Sequence, residues 1–216
     1  MLLLQQSPWY SQKYHDQIAR YTGLVHRAAR WMIETSNWDT GLYDPVGGDY
    51  PYTHRRYLDA AALGLTGLLT RDQELVDRSR LLIRDGLALQ WPDGVNPEKG
   101  GYDSSYEMVG LVYAERYEVY FAALDDPDEP IIPGLIAMID SGLAWEKTRI
   151  SPLGLVDTTG NTRTAGQERK RDGTPKGVAY TMVFRGLAYW SAVTNDKGLA
   201  ALAVAVSPYF SGIPIQ

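Results

Sequence analysis

The sequence predicts an all-α protein whose helices form two layers. Three observations carry that expectation. Apolar residues recur at helical spacing along most of the chain, helices with one charged face alternate with helices that carry almost no charge, and Gly, Pro and Asp punctuate the boundaries. A nearly uncharged helix is stable in water only when other helices surround it, so the alternation reads as outer helices enclosing inner ones.

The elements follow in order. From Ser11 to Thr35, Ile18, Tyr21, Val25, Ala28, Ala29, Met32 and Ile33 line one face of an outer helix. A Gly- and Pro-rich loop ending at GGDYPYT breaks it. Arg55 to Leu69 carries no charge after Asp59, and Ala60, Ala61, Ala62, Gly64 and Gly67 allow close backbone approach. Asp72 to Leu89 is amphipathic again, and Ser104 to Ala123 is apolar nearly all round at its start. Asp125-Asp126-Pro127 ends that inner helix, and Ile131 to Trp145 follows with Pro133 in its first turn. The next stretch lacks helical period; Leu155-Val156 and Thr162-Arg163-Thr164 predict a small β-hairpin near residues 153–165 about the Gly160-Asn161 turn. Gly177 to Thr194 has Arg185 as its only charge, Leu199 to Val206 is a last helix, and 208–216 reads as a loosely attached tail.

Composition sets bounds. A length of 216 residues with 44% hydrophobic and 22% charged suits one domain over 1–216. The net charge of -5 supplies no general field for nucleic acid. No apolar run reaches the ~20 residues that cross a membrane. The start MLLLQQSPWY lacks the basic region of a signal peptide, so the protein is expected in the cytoplasm, or exported with its signal outside this sequence. Without Cys there are no disulfides, thiol nucleophiles or Cys-ligated zinc. The aromatic balance, 15 Tyr and 6 Trp against 3 Phe, suits a wet concave surface that stacks on sugars; Tyr spanning core and surface is the plainer explanation.

The loops leading into the three inner helices, GGDYPYTHRRY, PEKGGYDSSYE and RKRDGTPKGVAYT, all combine Gly, Tyr and charge, so function is expected at one end of the bundle. Unequal spacing of Tyr52, Tyr106 and Tyr180 argues against a regular solenoid.

The layer alternation, with Asp93-Gly94, Glu98 and the phrase Gly100-Gly101-Tyr102-Asp103-Ser104-Ser105-Tyr106, resembles the (α/α) toroid class of helical-hairpin barrels. Many glycoside hydrolases and polysaccharide lyases use it, alginate- and heparin-type lyases among them. The resemblance implies a sugar cleft at the N-terminal ends of the inner helices. A full toroid has about twice the three hairpins present, so the reading is a toroid or partial toroid: a reduced barrel, a half-barrel that pairs with another copy, or part of something larger.

For an acidic, uronate-containing glycan the implied chemistry is β-elimination. A cation neutralises the carboxylate, a base takes the C5 proton and an acid protonates the leaving oxygen. The assignment is His54 and Tyr106 for proton transfer, with Arg55 and Arg163 facing the carboxylate. Tyr50, Tyr52, Asn96, Glu98, Lys99, Tyr102, Asp103, Arg169 and Tyr180 are the expected binding residues. Plainer roles compete. His54 serves as a solvated first-turn residue, Arg55 and Arg56 pair with Asp49 or Asp59, and Asp103 caps its helix with Glu107 near the capping-box position. Hydrolysis would use a pair among Glu98, Asp103, Glu107 and Asp49. The run Glu168-Arg169-Lys170-Arg171 with Lys176 reads as a glycan flap or a solvated loop. Metal, dinucleotide and serine-hydrolase motifs are absent, so no metal or cofactor is expected. The remaining alternative is a non-catalytic glycan-binding or assembly module that forms a homo-oligomer.

Overall fold

The structure is a computed structural model that describes residues 14–35, 38, 52–122 and 131–211. Among them run seven helices: α1 (His15–Met32), α2 (Thr53–Thr70), α3 (Gln73–Leu89), α4 (Ser104–Ala122), α5 (Ile131–Lys147), α6 (Tyr180–Thr194) and α7 (Lys197–Ser211). The all-α class is therefore correct.

Helix α4 packs against α2 and α6, which have no comparable interface with each other, while α1 and α3 lie on α2, α5 on α4 and α3, and α7 on α6. The charge alternation does not follow this packing, since α4 carries four charged residues and the peripheral α7 only Lys197. Close approach along this row depends on glycine. A Cβ on Gly64 of α2 would stand 2.8 Å from Tyr117 Cε2, and one on Gly186 of α6 would stand 2.5 Å from Met108 Cε. Both contacts are on α4, whose Met108, Leu111, Ala114 and Tyr117 are fully buried. Yet α4 also buries Glu107, Glu115 and Glu118, which its apolar start did not announce.

Several expectations need correction. Of the predicted first-helix face only Ile18 and Ala29 on α1, and Ile33 just after it, are buried; Tyr21 and Val25 stay 55% and 37% exposed. Residues 208–211 are not tail but the last turn of α7. Pro208 has no N–H for the carbonyl of Val204, and Ser207 Oγ donates to that oxygen at 2.8 Å instead.

The hairpin near 153–165 does not form. Ile150 and Val156 make one isolated bridge across a turn at Gly154, whose φ is +81°. A Cβ there would lie 2.1 Å from Ala205 O, so this turn is laid directly on α7. Beyond it Asn161 Oδ1 accepts from Ser104 N at 3.2 Å. The segment satisfies its backbone through successive tight turns, Ser151 N on Leu155 O at 2.8 Å and Asn161 N on Thr158 O at 3.1 Å, rather than through a strand ladder.

Candidate functional site

The loops before α2, α4 and α6 meet. Thr53 Oγ1 donates to Pro97 O at 2.7 Å, Tyr52 and Glu98 form a bridge, and Ala179 N donates to Ser105 Oγ at 2.9 Å. The N-termini of the three inner helices therefore lie at one end.

Two positive φ values, +52° at Lys99 and +75° at Gly100, turn the loop before α4 back on itself so that Glu98 N donates to Gly101 O at 2.8 Å. That turn drives Glu98 inward to 1% exposure. Its Oε1 accepts from His54 N at 2.9 Å and His54 Nδ1 at 2.7 Å, and its Oε2 accepts from Arg163 Nη1 at 3.0 Å. A buried carboxylate thus joins the start of α2 to the loop before α6.

Asp103 fixes the other side. Oδ1 accepts from Ser105 N at 3.1 Å and Tyr106 N at 3.0 Å, capping α4. Oδ2 accepts from Arg163 N and Thr164 N, both at 2.8 Å. Glu107 does not complete a capping box. Its carboxylate accepts instead from Asn96 N at 2.8 Å and Asn96 Nδ2 at 2.6 Å. Burial raises the Glu107 pKa to about 8, against the pull of those two donors.

So held, Arg163 places its guanidinium carbon 3.6 Å from the Tyr106 ring centroid and 4.8 Å from that of Tyr52. The His54 and Tyr106 rings are 4.8 Å apart between centroids. Glu168 then gathers cations from three places. Lys99 Nζ is 2.6 Å from Oε1, Arg163 Nε is 3.3 Å from both oxygens, and Lys176 donates to Oε2. Burial works to raise the Glu168 pKa, but hydrogen bonds from Lys176, Lys99 and Arg163 outweigh it and hold it down to about 2. Each lysine also stands near a tyrosine ring, Lys99 Nζ 6.0 Å from the Tyr52 centroid and Lys176 Nζ 5.5 Å from that of Tyr106. Arg55 lies 4.4 Å over the Tyr52 ring.

His54, Tyr106, Arg163, Tyr52, Glu98 and Lys99 therefore converge, with Arg55 at the edge. Two expected roles do not match the geometry. His54 is no solvated first-turn residue, at 8% exposure, and Arg163 does not face outward: it is 5% exposed and committed to Glu98 and Glu168. Asn96 and Asp103 are buried and occupied by protein partners. Tyr102 belongs to a separate group, its hydroxyl on Thr159 O at 2.8 Å and Arg149 over its ring. Tyr180 stacks on Tyr209, and Arg169 Nη1 donates within its own turn to Gly173 O. Arg56 pairs with Asp85. Tyr50 and Asp49 lie outside the described residues.

Sequence reasoning missed Glu168. It sits in a run of three cations and reads as part of a solvated charge cluster, and only its 17% side-chain exposure gives it away. A cavity of about 310 Å³ lies elsewhere, between α5, α6 and α7. Its polar groups are largely spent on each other, Trp190 Nε1 on Asp140 at 2.7 Å and Lys147 Nζ on Asp196 at 3.0 Å. No helix among the described residues is long and apolar enough to cross a membrane.

The chain matches no protein-family model, no curated protein and no solved structure. Fold and site together define a class only: a layered all-helical protein with a buried carboxylate–histidine–arginine cluster at the entrance to its inner helices.

Proposed function

We propose that this protein binds an acidic, uronate-containing glycan at the N-terminal end of its inner helices and cleaves it by β-elimination. The observation that carries the reading is the chain Arg163–Glu98–His54 set against Tyr106. In a neutral imidazole, donation of Nδ1–H to Glu98 selects the tautomer whose Nε2 carries the lone pair, the form a general base needs. Four cations, Arg55, Lys99, Arg163 and Lys176, stand against Glu98 and Glu168, with Asp59 behind Arg55. With Asp103 bound to the Arg163 and Thr164 amides the charges balance, so a carboxylated ligand is received by competing with these carboxylates for the gathered cations.

In the reaction, the rim cations neutralise the uronate carboxylate and make the C5 proton acidic. His54 Nε2 takes that proton, the C4–O bond breaks as C4=C5 forms, and the Tyr106 hydroxyl protonates the departing oxygen. The test is incubation with alginate, pectate, heparin-like and hyaluronan-like polymers while following absorbance of the unsaturated product. Silence across the panel sinks the reading. Hydrolysis finds less support, because Glu98, Asp103 and Glu107 are all buried within 1% exposure and engaged by protein donors.

One observation favours a non-catalytic glycan-binding module: the near burial of His54. In that case His54→Ala and Tyr106→Phe keep glycan affinity, and the wild type has no turnover to lose.

A further inference from the structure

Between Ala165 and Pro175 the chain is exposed at every position except Glu168, whose side chain turns inward. Backbone hydrogen bonds tie the base of this loop to Arg163 and Lys176 and close its tip. Ala165 N donates to Lys176 O at 3.1 Å, Glu168 N to Arg163 O at 3.0 Å and Lys170 N to Thr174 O at 2.7 Å. Its turns use positive φ at Ala165, Gly166 and Gly173, and a Cβ added to either glycine would meet nothing within 4 Å. No side chain other than that of Glu168 therefore fastens this loop inward, apart from its two ends.

What Glu168 enters is a cradle assembled from parts that also serve the tyrosines. Arg163 lies over Tyr106, and Lys176 Nζ and Lys99 Nζ stand 5.5 Å and 6.0 Å from the Tyr106 and Tyr52 ring centroids. A carboxylate at this position is thus held by a guanidinium and two ammonium groups next to both phenols. Nothing about the cradle requires that carboxylate to come from the protein. From this geometry we infer that the Lys99–Arg163–Lys176 cradle is a carboxylate-binding site, filled from within by Glu168, and that a carboxylated ligand takes Glu168's place as the 165–175 loop swings out. Applied to a uronate unit, this rests on the proposed function; applied to a simple carboxylate, it stands alone.

The experiment compares the wild type with Glu168→Gln, which keeps the shape and removes the charge. Acetate is titrated by NMR chemical shift, and trigalacturonate and neutral maltotriose by calorimetry. Glu168→Gln should bind acetate and trigalacturonate about ten-fold more tightly than the wild type, with maltotriose unchanged. Tighter acetate binding without any trigalacturonate binding keeps the cradle and removes the glycan reading. No gain for either anion, with only a lowered melting temperature, overturns the inference and leaves Glu168 as a structural bridge. A second measurement needs no variant. Saturating acetate should speed tryptic cleavage of the wild type at Arg169, Lys170 and Arg171 several-fold, and an unchanged rate counts against displacement.

Discussion

Arg163 lies over Tyr106 with its guanidinium carbon 3.6 Å from the ring centroid, while its Nη1 donates to Glu98 Oε2 at 3.0 Å. A planar fork is needed to stack on a ring and reach two carboxylates at once; an ammonium can do one or the other. Arg163→Met should cost about 3–5 kcal/mol of unfolding free energy, because Glu98 is left buried without its cation. Arg163→Lys should fall between Met and wild type. Urea unfolding of the three proteins checks the order, and a Lys variant as stable as wild type would show that the fork is not used.

His54 and Tyr106 come from different inner helices, yet their ring centroids are 4.8 Å apart. If they exchange protons with substrate, His54→Ala and Tyr106→Phe should each lower turnover by roughly a hundred- to ten-thousand-fold. The two losses should not multiply, since base and acid serve one elimination. Single and double variants assayed on the best uronate polymer decide this. A multiplicative double loss contradicts a shared step.

The cluster was legible in part because residue types near inner-helix starts are local information. Asp-Ser-Ser reads as a helix cap, and Asp103 caps α4. The all-helical class was legible from apolar periodicity alone. What stayed hidden depends on partners distant in sequence. Glu168 shares its run with Arg169, Lys170 and Arg171, and nothing local says that it alone turns inward. Likewise Glu146 looks like an ordinary polar residue near the end of α5, but it is completely buried. Tyr21 and Val25 show the converse, since periodicity finds a face without saying whether a neighbour extends along it.

Glu146 is fully buried with no hydrogen-bond partner on either oxygen among the described residues, and Gly142, one turn earlier, lies against Glu107 Oε1. Burial first, and the Glu107 charge second, raise the Glu146 pKa well above its ordinary value of 4.5. The sign follows. At low pH both carboxyls are protonated in folded and unfolded chains alike. As pH rises past 4.5 the unfolded chain releases its protons and the folded one retains them, so stability falls, the Glu107 share ending as it ionises in the fold near about 8 and the Glu146 share as its own raised pKa is passed. Glu146→Gln should flatten this decline, and Glu146→Leu should stabilise the protein by about 1–3 kcal/mol near neutral pH. Urea midpoints across that window test both, and a wild type that gains stability toward pH 8 contradicts them.

Gly64 faces Ser79 Oγ and Tyr117 Cε2, each 2.8 Å from where a Cβ would stand, with Phe121 Cε2 at 2.9 Å. Tyr117 and Phe121 stack at 4.0 Å between centroids and cannot retreat independently. Gly64→Ala improves helix propensity but forces α2 away from α4, and overpacking should win, costing about 1–3 kcal/mol. Thermal unfolding of the variant measures it; a stabilised Gly64→Ala protein would mean that the helices sit farther apart than this.

Asp103 is the joint between the cap of α4 and the Arg163 loop, accepting five hydrogen bonds: Ser105 N and Tyr106 N on Oδ1, and Arg163 N, Thr164 N and Thr164 Oγ1 on Oδ2. An ordinary cap is worth about 1 kcal/mol. Asp103→Ala should cost about 3 kcal/mol or more, because two buried amides outside α4 also lose their acceptor. Asp103→Asn separates the arms. Asn caps helices well through its remaining oxygen, but its amide nitrogen cannot accept from Arg163 or Thr164. Amide exchange in Asp103→Asn should therefore stay slow at Ser105 and Tyr106 and become fast at Arg163 and Thr164. Equal protection at all four amides would mean that the loop is held by something other than this carboxylate.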